Sequence, residues 1–321
     1  MLALHHMCTV SIIPFVPPMP SLGFPHPPSH AIAAASRRLG FRLVTNRDEL
    51  RTRPPAADPR WHDFTTPIPP TSGSSDADPA RAVRAIYPVD PAGGGTWVAG
   101  STSGLVLCIL NANPIPPATL PPASELISRG VIIPELLRYA GETRRVIDVL
   151  RLLERLDLPR FAPFRLIGVA PNGSPDAQGF LAIEASWNRS ELTFHEHAPG
   201  PACFVSSGLG DPLVKPRITL FNEMVRATRG TLSDLAGEQD RFHRHTWADR
   251  PEISVMMSRR EARTVSITTV EVCRTATAGP AAYDLTLEYE PILDVGMPVA
   301  HAAPAGKHKV TLPARVARQA R

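Results

Sequence analysis

The chain has few aromatic residues, no hydrophobic run approaching the ~20 residues of a transmembrane helix, and cysteines that never come in CxxC pairs. The second absence means that no transmembrane segment is expected. Aromatics make up 6% of 321 residues, whereas a nucleic-acid-binding face is expected to interleave them with basic side chains. Cys8, Cys108, Cys203 and Cys273 are widely spaced, which indicates neither a disulfide framework nor a zinc ribbon. Acidic residues are missing after Asp294, while Lys307, Lys309, Arg315, Arg318 and Arg321 follow it. The net charge of +4 therefore arises in the tail. The preceding body is nearly neutral, so no nucleic-acid partner is expected. Residues 295–321 read as a basic, disordered end. The first residues lack a charged n-region and a small-residue cleavage site, so a cytoplasmic protein is expected.

What is present has a legible order. Residues 8–16 read as a strand, 14–38 as a Pro-rich insertion, and 41–46 as a second strand ending in "NRDE". Residues 51–85 read as loop, and 93–111 as a hairpin whose apolar runs flank a Ser/Thr/Gly turn. The apolar spacing of 134–156 predicts one helix, with Pro134 in its first turn. Segments 164–170, 179–187, 191–198 and 202–208 read as consecutive antiparallel strands, followed by a helix over about 213–229. Strands over 262–274 and 283–291 complete the pattern. Groups of antiparallel strands with helices between them predict an α+β layered fold rather than a doubly wound parallel sheet.

Several constellations have residue types that can carry chemistry. "HEH" (195–197) and "HRH" (243–245) each place two imidazoles on one side of an extended chain, but no carboxylate is distinctively placed as a further metal ligand. "GSTSG" (100–104) has Thr102 where a nucleophile elbow needs Ser, and a hairpin surrounds it. "GGG" (93–95) lacks the P-loop lysine and reads as a flexible turn. No metal and no cofactor are called for. The remaining feature is Cys8 directly after Met7. If the mature chain begins at Cys8, its thiol and free α-amine form a nucleophile and base in one residue; if it does not, Cys8 is a buried strand thiol.

The fragments "MCTVSII", "RLVTNRDELRTRP", "GGGTWVAGSTSGLVLCILN" and "SRG", in that order, resemble the NRDE family, also called the transport and Golgi organisation 2 family. "SSGLGDPLVKPR" and "HTWADRPEISVMMSRREARTVSITTVEV" resemble its bacterial branch. The resemblance runs from Cys8 to about Glu290 and implies a single αββα domain over 8–294, with residues 1–7 an upstream extension or leader. That family is similar in turn to the N-terminal-nucleophile hydrolases, in the cysteine branch that holds penicillin V acylase and bile-salt hydrolase, whose fold is a four-layer αββα sandwich. In that branch the first residue is Cys and its own α-amine is the base. A thiol of pKa about 8.5 beside an amine of about 7.7–8.0 can exchange a proton at neutral pH.

Carried over residue by residue, the resemblance implies that Arg47 approaches the thiolate and Asp48 binds the α-ammonium. Asn46 and Asn111 become candidate oxyanion donors. One departure stands out. The acylases place Arg three residues before Asp, whereas Arg47 and Asp48 are adjacent and point to opposite faces of an ideal strand. Read without the family, "NRDE" is a strand-end turn with a buried ion pair. Two functions follow: hydrolysis of linear amide (N-acyl) bonds through a Cys8 thioester, or non-catalytic carriage of haem or a lipid-like hydrophobic ligand on the same scaffold.

Overall fold

A computed structural model describes residues 7–15, 40–65, 82–140, 145–172, 179–228, 232–274, 283–293 and 307–312. The rest of the proposed leader, most of the Pro-rich insertion and the last residues lie outside them. Among the described residues no helix is long and apolar enough to cross a membrane.

Among the described residues, thirteen strands form two antiparallel sheets. The first contains β1 (Met7–Phe15), β2 (Gly40–Leu50), β10 (Ala202–Ser206), β11 (Ala262–Arg274), β12 (Tyr283–Pro291) and β13 (His308–Leu312), in the order β10-β1-β2-β11-β12-β13. The second is a meander of β3 (Ala57–Thr65), β4 (Ala82–Val89), β5 (Val98–Ser101), β6 (Val106–Asn111), β7 (Phe164–Pro171), β8 (Phe180–Trp187) and β9 (Leu192–Glu196). Helices α1 (Ile132–Ala140) and α2 (Val146–Arg151) cover the outer face of the second sheet, and α3 (Pro216–Ala227) and α4 (Leu232–His243) that of the first. The inner faces pack on each other through β1 on β6 and β12 on β3, β4 and β5. The result is an α+β fold with layers in the order αββα.

Strand alternation explains the layering. In β1, Cys8, Val10 and Ile12 join the core between the sheets, whereas Ile13 packs with Phe221, Leu235 and Phe242 under the helices. Both faces are covered, so β2 is buried along nearly its whole length. Pro14 is tolerated in β1 because pairing with β10 ends at Ile12, so no partner strand is waiting for its missing N–H. In the β5–β6 turn, Gly104 takes φ +85°, a left-handed conformation that residues with a Cβ adopt only at a cost.

Several expectations are corrected. The helix expected over 134–156 is two helices, α1 and α2, with residues 141–144 outside the described set. Strand β2 continues through "NRDE" to Leu50 rather than ending there. The stretch expected as loop over 51–85 contains β3 and the start of β4, whose proline-rich surroundings masked their pairing. "ACFVS" does not extend the meander: β10 leaves β9 and pairs with β1 in the other sheet. Helix α4 was missed because its polar residues and Gly237 obscure the apolar period. The tail is not structureless throughout, since His308–Leu312 alternates as a strand, pairs with β12 and has Val310 against the core.

Candidate active site

Strand β2 lies between β1 and β11, and its register brings Cys8 opposite Arg47 and Met7 opposite Asp48. Because side chains alternate, Arg47 and Glu49 face the gap between the sheets with Cys8, while Asn46 and Asp48 face the helices. The inward residues line a cavity of about 240 Å³. Its wall also includes Arg53, Asp90, Trp97, Ile109, Asn111 and Arg129.

The cavity floor is an ion-pair network. Arg47 Nη2 lies 3.2 Å from Glu49 Oε1 and 3.3 Å from Asp90 Oδ2, and its guanidinium sits 4.5 Å from the centre of the Trp97 ring. Arg53 contacts the same two carboxylates, at 3.6 Å from Glu49 and in a short contact with Asp90. Burial would raise the Asp90 carboxyl, but the Arg53 hydrogen bond and the Arg47 charge outweigh it and hold the group below its usual range. Closing the cavity is the approach of two loops: Thr96 N donates to Gly130 O at 2.9 Å, and a Cβ on Gly95 would lie 2.2 Å from the Gly130 carbonyl. "GGG" therefore serves close packing at Gly95 rather than phosphate binding.

Cys8 is 8% exposed. Within the continuous strand its thiol is pushed well above the usual range, first by burial, then by the Asp48, Cys108 and Glu49 charges, with Arg47 pulling the other way. It is therefore uncharged at neutral pH. Its backbone N donates to Ser206 Oγ at 3.2 Å.

On the helix side, Asp48 is fully buried and accepts a 2.6 Å hydrogen bond from Thr264 Oγ1. Among the described residues its Oδ2 has no hydrogen-bond partner, and it stands 4.0 Å from Arg217, whose Nη2 is likewise buried without one. Burial raises the Asp48 carboxyl to about 6, against the opposing pull of Arg217 and Thr264. Arg217 also donates to Thr9 Oγ1 at 2.7 Å and to Ile253 O at 3.0 Å.

Asn46 corrects the oxyanion expectation. Its Nδ2 donates to His243 O and Val255 O, both at 2.9 Å, on the face away from Cys8, leaving no amide hydrogen for a developing oxyanion. Its Oδ1 lies 2.7 Å from His243 Nδ1, and His243 Nε2 lies 2.7 Å from Ser11 Oγ. This Ser–His–Asn array has the connectivity of a catalytic triad, yet Ser11 is 0% and His243 1% exposed, so no substrate reaches it. It ties α4 to β1 and β2. Asn111, in contrast, ends β6 and lines the cavity with Cys8.

The other histidine pair sits elsewhere. His195 and His197 stack edge to face on the margin of the second sheet, where His197 Nε2 meets Glu184 at 3.0 Å. His243 ends α4, so "HRH" is not extended. Among the described residues no group of three or more His, Cys, Asp or Glu could hold a metal.

Sequence reasoning did not find Glu49, Arg53, Asp90, Trp97, Arg129, Ser206 or Arg217 as parts of this region. All of them except Asp90 lie in fragments of the family pattern, which gave them no role.

No family model and no curated protein matches the chain. Solved structures similar to it include an N-acylethanolamine-hydrolyzing acid amidase ortholog from Caenorhabditis elegans, at 10% identity and a TM-score of 0.43, covering 81% of this chain and 91% of that one. Penicillin V acylase from Agrobacterium tumefaciens is similar at 10% identity and a TM-score of 0.41, covering 84% and 83%. A mutant conjugated bile acid hydrolase from Clostridium perfringens is similar at 7% identity and a TM-score of 0.40, covering 94% and 96%.

Proposed function

We propose that the chain is a cysteine N-terminal-nucleophile hydrolase of linear amide bonds, with Cys8 as the first residue of the active form. The observation that carries this is the division of labour around Cys8. Its side chain lines a cavity beside Arg47, while the carboxylate opposite the preceding residue, Asp48, keeps a buried oxygen with no hydrogen-bond partner. A buried carboxylate oxygen without a donor costs on the order of 1–3 kcal/mol. An α-ammonium created at Cys8 supplies donors on that side of the strand, and Ser206 Oγ already accepts from the same nitrogen.

The steps follow. The free amine takes the Cys8 thiol proton, the thiolate attacks the substrate carbonyl, and the resulting oxyanion is met by Asn111. The ammonium then gives its proton to the leaving amine, leaving a thioester that water hydrolyses to the acid. Arg47 stabilises the thiolate, and Glu49 and Asp90 hold Arg47 in place. The carrier reading finds less support. The cavity is smaller than the ~300–1,000 Å³ typical of small-molecule pockets, which disfavours haem.

The test is a chain begun at Met7, whose initiator methionine is released during synthesis to leave Cys8 first. It should cleave chromogenic N-acyl amides with an initial burst, and Cys8→Ala should abolish cleavage without loss of fold. Cleavage that persists in Cys8→Ala, or none by the processed chain over a broad acyl panel, removes the mechanism.

A further inference from the structure

Strand β10 stands at the edge of the first sheet and, among the described residues, pairs with β1 alone. Its last residue is Ser206, whose Oγ accepts from Cys8 N, yet an edge strand has no neighbouring strand on its outer side to hold it at that distance. The second sheet supplies the support. Arg165 of β7 donates from Nη1 to Val205 O at 3.2 Å, and Asp211 Oδ1 accepts from Ser207 N at 2.8 Å, so the backbone is caught on both sides of Ser206 along the chain. Asp211 also reaches the other sheet. Its Oδ2 accepts from Asn113 N at 2.9 Å and its own N donates to Asn113 O at 2.9 Å, just past Asn111 at the end of β6.

We propose that Asp211 is a positioning residue: its carboxylate clips the end of β10 to the end of β6, and so holds Ser206 at the Cys8 nitrogen in fixed relation to Asn111 at the cavity wall. This rests on the reading of Cys8 as the first residue and nucleophile of the active form. Strands β6 and β10 belong to different sheets, and among the described residues no backbone ladder joins the two, so their ends can shift against one another unless a side chain spans them. An ionised carboxylate suits the task. It only accepts, and its two oxygens each meet one backbone N–H, from Ser207 on one side and Asn113 on the other. The effect falls on the amine. In a chain that begins at Cys8, a Ser206 Oγ that accepts from the α-ammonium favours the charged form, and a displaced Ser206 withdraws that support. With the ammonium less favoured, the thiolate beside it becomes abundant only at higher pH.

The experiment follows alkylation of Cys8 by iodoacetamide against pH in the full chain processed to begin at Cys8, together with amide hydrogen exchange at Ser207 and Asn113. Alkylation needs no substrate, so a chain that hydrolyses no amide removes the hydrolase reading while the profile still tests Asp211. Asp211→Ala should move the midpoint of the profile upward by roughly half a unit, the scale of one hydrogen bond, and should speed exchange at both amides together. Ser206→Ala should move the midpoint as far and leave both amides protected. An unchanged midpoint in either variant overturns the proposal, as does exchange that quickens at one amide only; faster exchange without a shifted midpoint would reduce Asp211 to a structural contact. If Asp211→Ala does not melt cooperatively, Asp211→Asn, which keeps one acceptor oxygen, should show an intermediate shift, and a midpoint equal to the parent's then overturns the proposal.

Discussion

The Cys8 thiol lines the cavity but is chemically quiet while its nitrogen is an amide. Burial and the carboxylates around it keep it protonated, and the thiolate is the reactive species. With the preceding residues retained, Cys8 should react with iodoacetamide no faster than Cys108 or Cys203, whose thiols burial pushes to about 12. A chain beginning at Cys8 should be labelled there selectively at pH 7, read by peptide mass spectrometry over time; equal rates in both forms would show that the amine does not activate the thiol. His243 supports a second expectation. Burial and the charges of Arg42, Arg244 and Arg217 hold it well below its usual range, so the folded state keeps it neutral where the unfolded chain binds a proton. Its contribution is complete above the unfolded pKa of ~6.5 and falls as the pH drops below that, by up to about 1.4 kcal/mol per unit. Asp48, raised to about 6, acts in the opposite sense: between its unfolded value of ~3.9 and 6 the folded state holds the extra proton, so acidification stabilises. Urea titrations at several pH values should therefore show His243→Asn with a flatter acid decline than the parent. Cys8, Arg47 and Asp48 could be singled out because they lie in two short segments with a family pattern. Arg129 lies in a third, "SRG", which assigns it no role, and Asp90 lies in none, because nothing local marks a side chain whose partners come from distant strands.

Among the elements, β2 shows how alternation divides one motif. Asn-Arg-Asp-Glu looks like a single cluster in sequence, yet two of its members serve the cavity and two anchor the helices. The adjacency of Arg47 and Asp48 was visible from the start, and the period of two was enough to separate their faces. It could not tell that Asn46 is taken up by His243 and Val255, because α4 was not recognised. The loops of residues 93–95 and 128–130 carry their own expectation. Gly95→Ala drives a methyl into the Gly130 backbone and should cost about 1–3 kcal/mol. Gly94→Ala meets no atom but retains φ +68° and should cost about 1 kcal/mol. Denaturant midpoints of the two variants check the order; an innocuous Gly95→Ala would mean that the loops do not meet this closely.

At the scale of the molecule, the αββα layering was expected from the family resemblance, while the reach of the chain past Asp294 was not. Strand β13 closes the exposed edge of β12 and touches β3 of the opposite sheet. Lys307 adds an ion pair with Glu288 at 2.8 Å. Its signal was short and lay in a stretch dominated by basic residues, so charge concealed the alternation. Deleting residues 307–321 should lower the melting temperature and, by opening a sheet edge, raise light scattering on heating; unchanged values for both would make β13 dispensable. The β1 register has a temporal consequence. The Met7–Cys8 bond lies inside a paired strand, with Met7 against Asp48 and Cys8 held between β2 and β10. Peptidases bind their substrates as extended, unpaired chain, and a central strand offers that only through costly local opening. If Cys8 is to become a terminus, trimming belongs to the nascent polypeptide, and the order of synthesis and folding becomes part of making the catalyst.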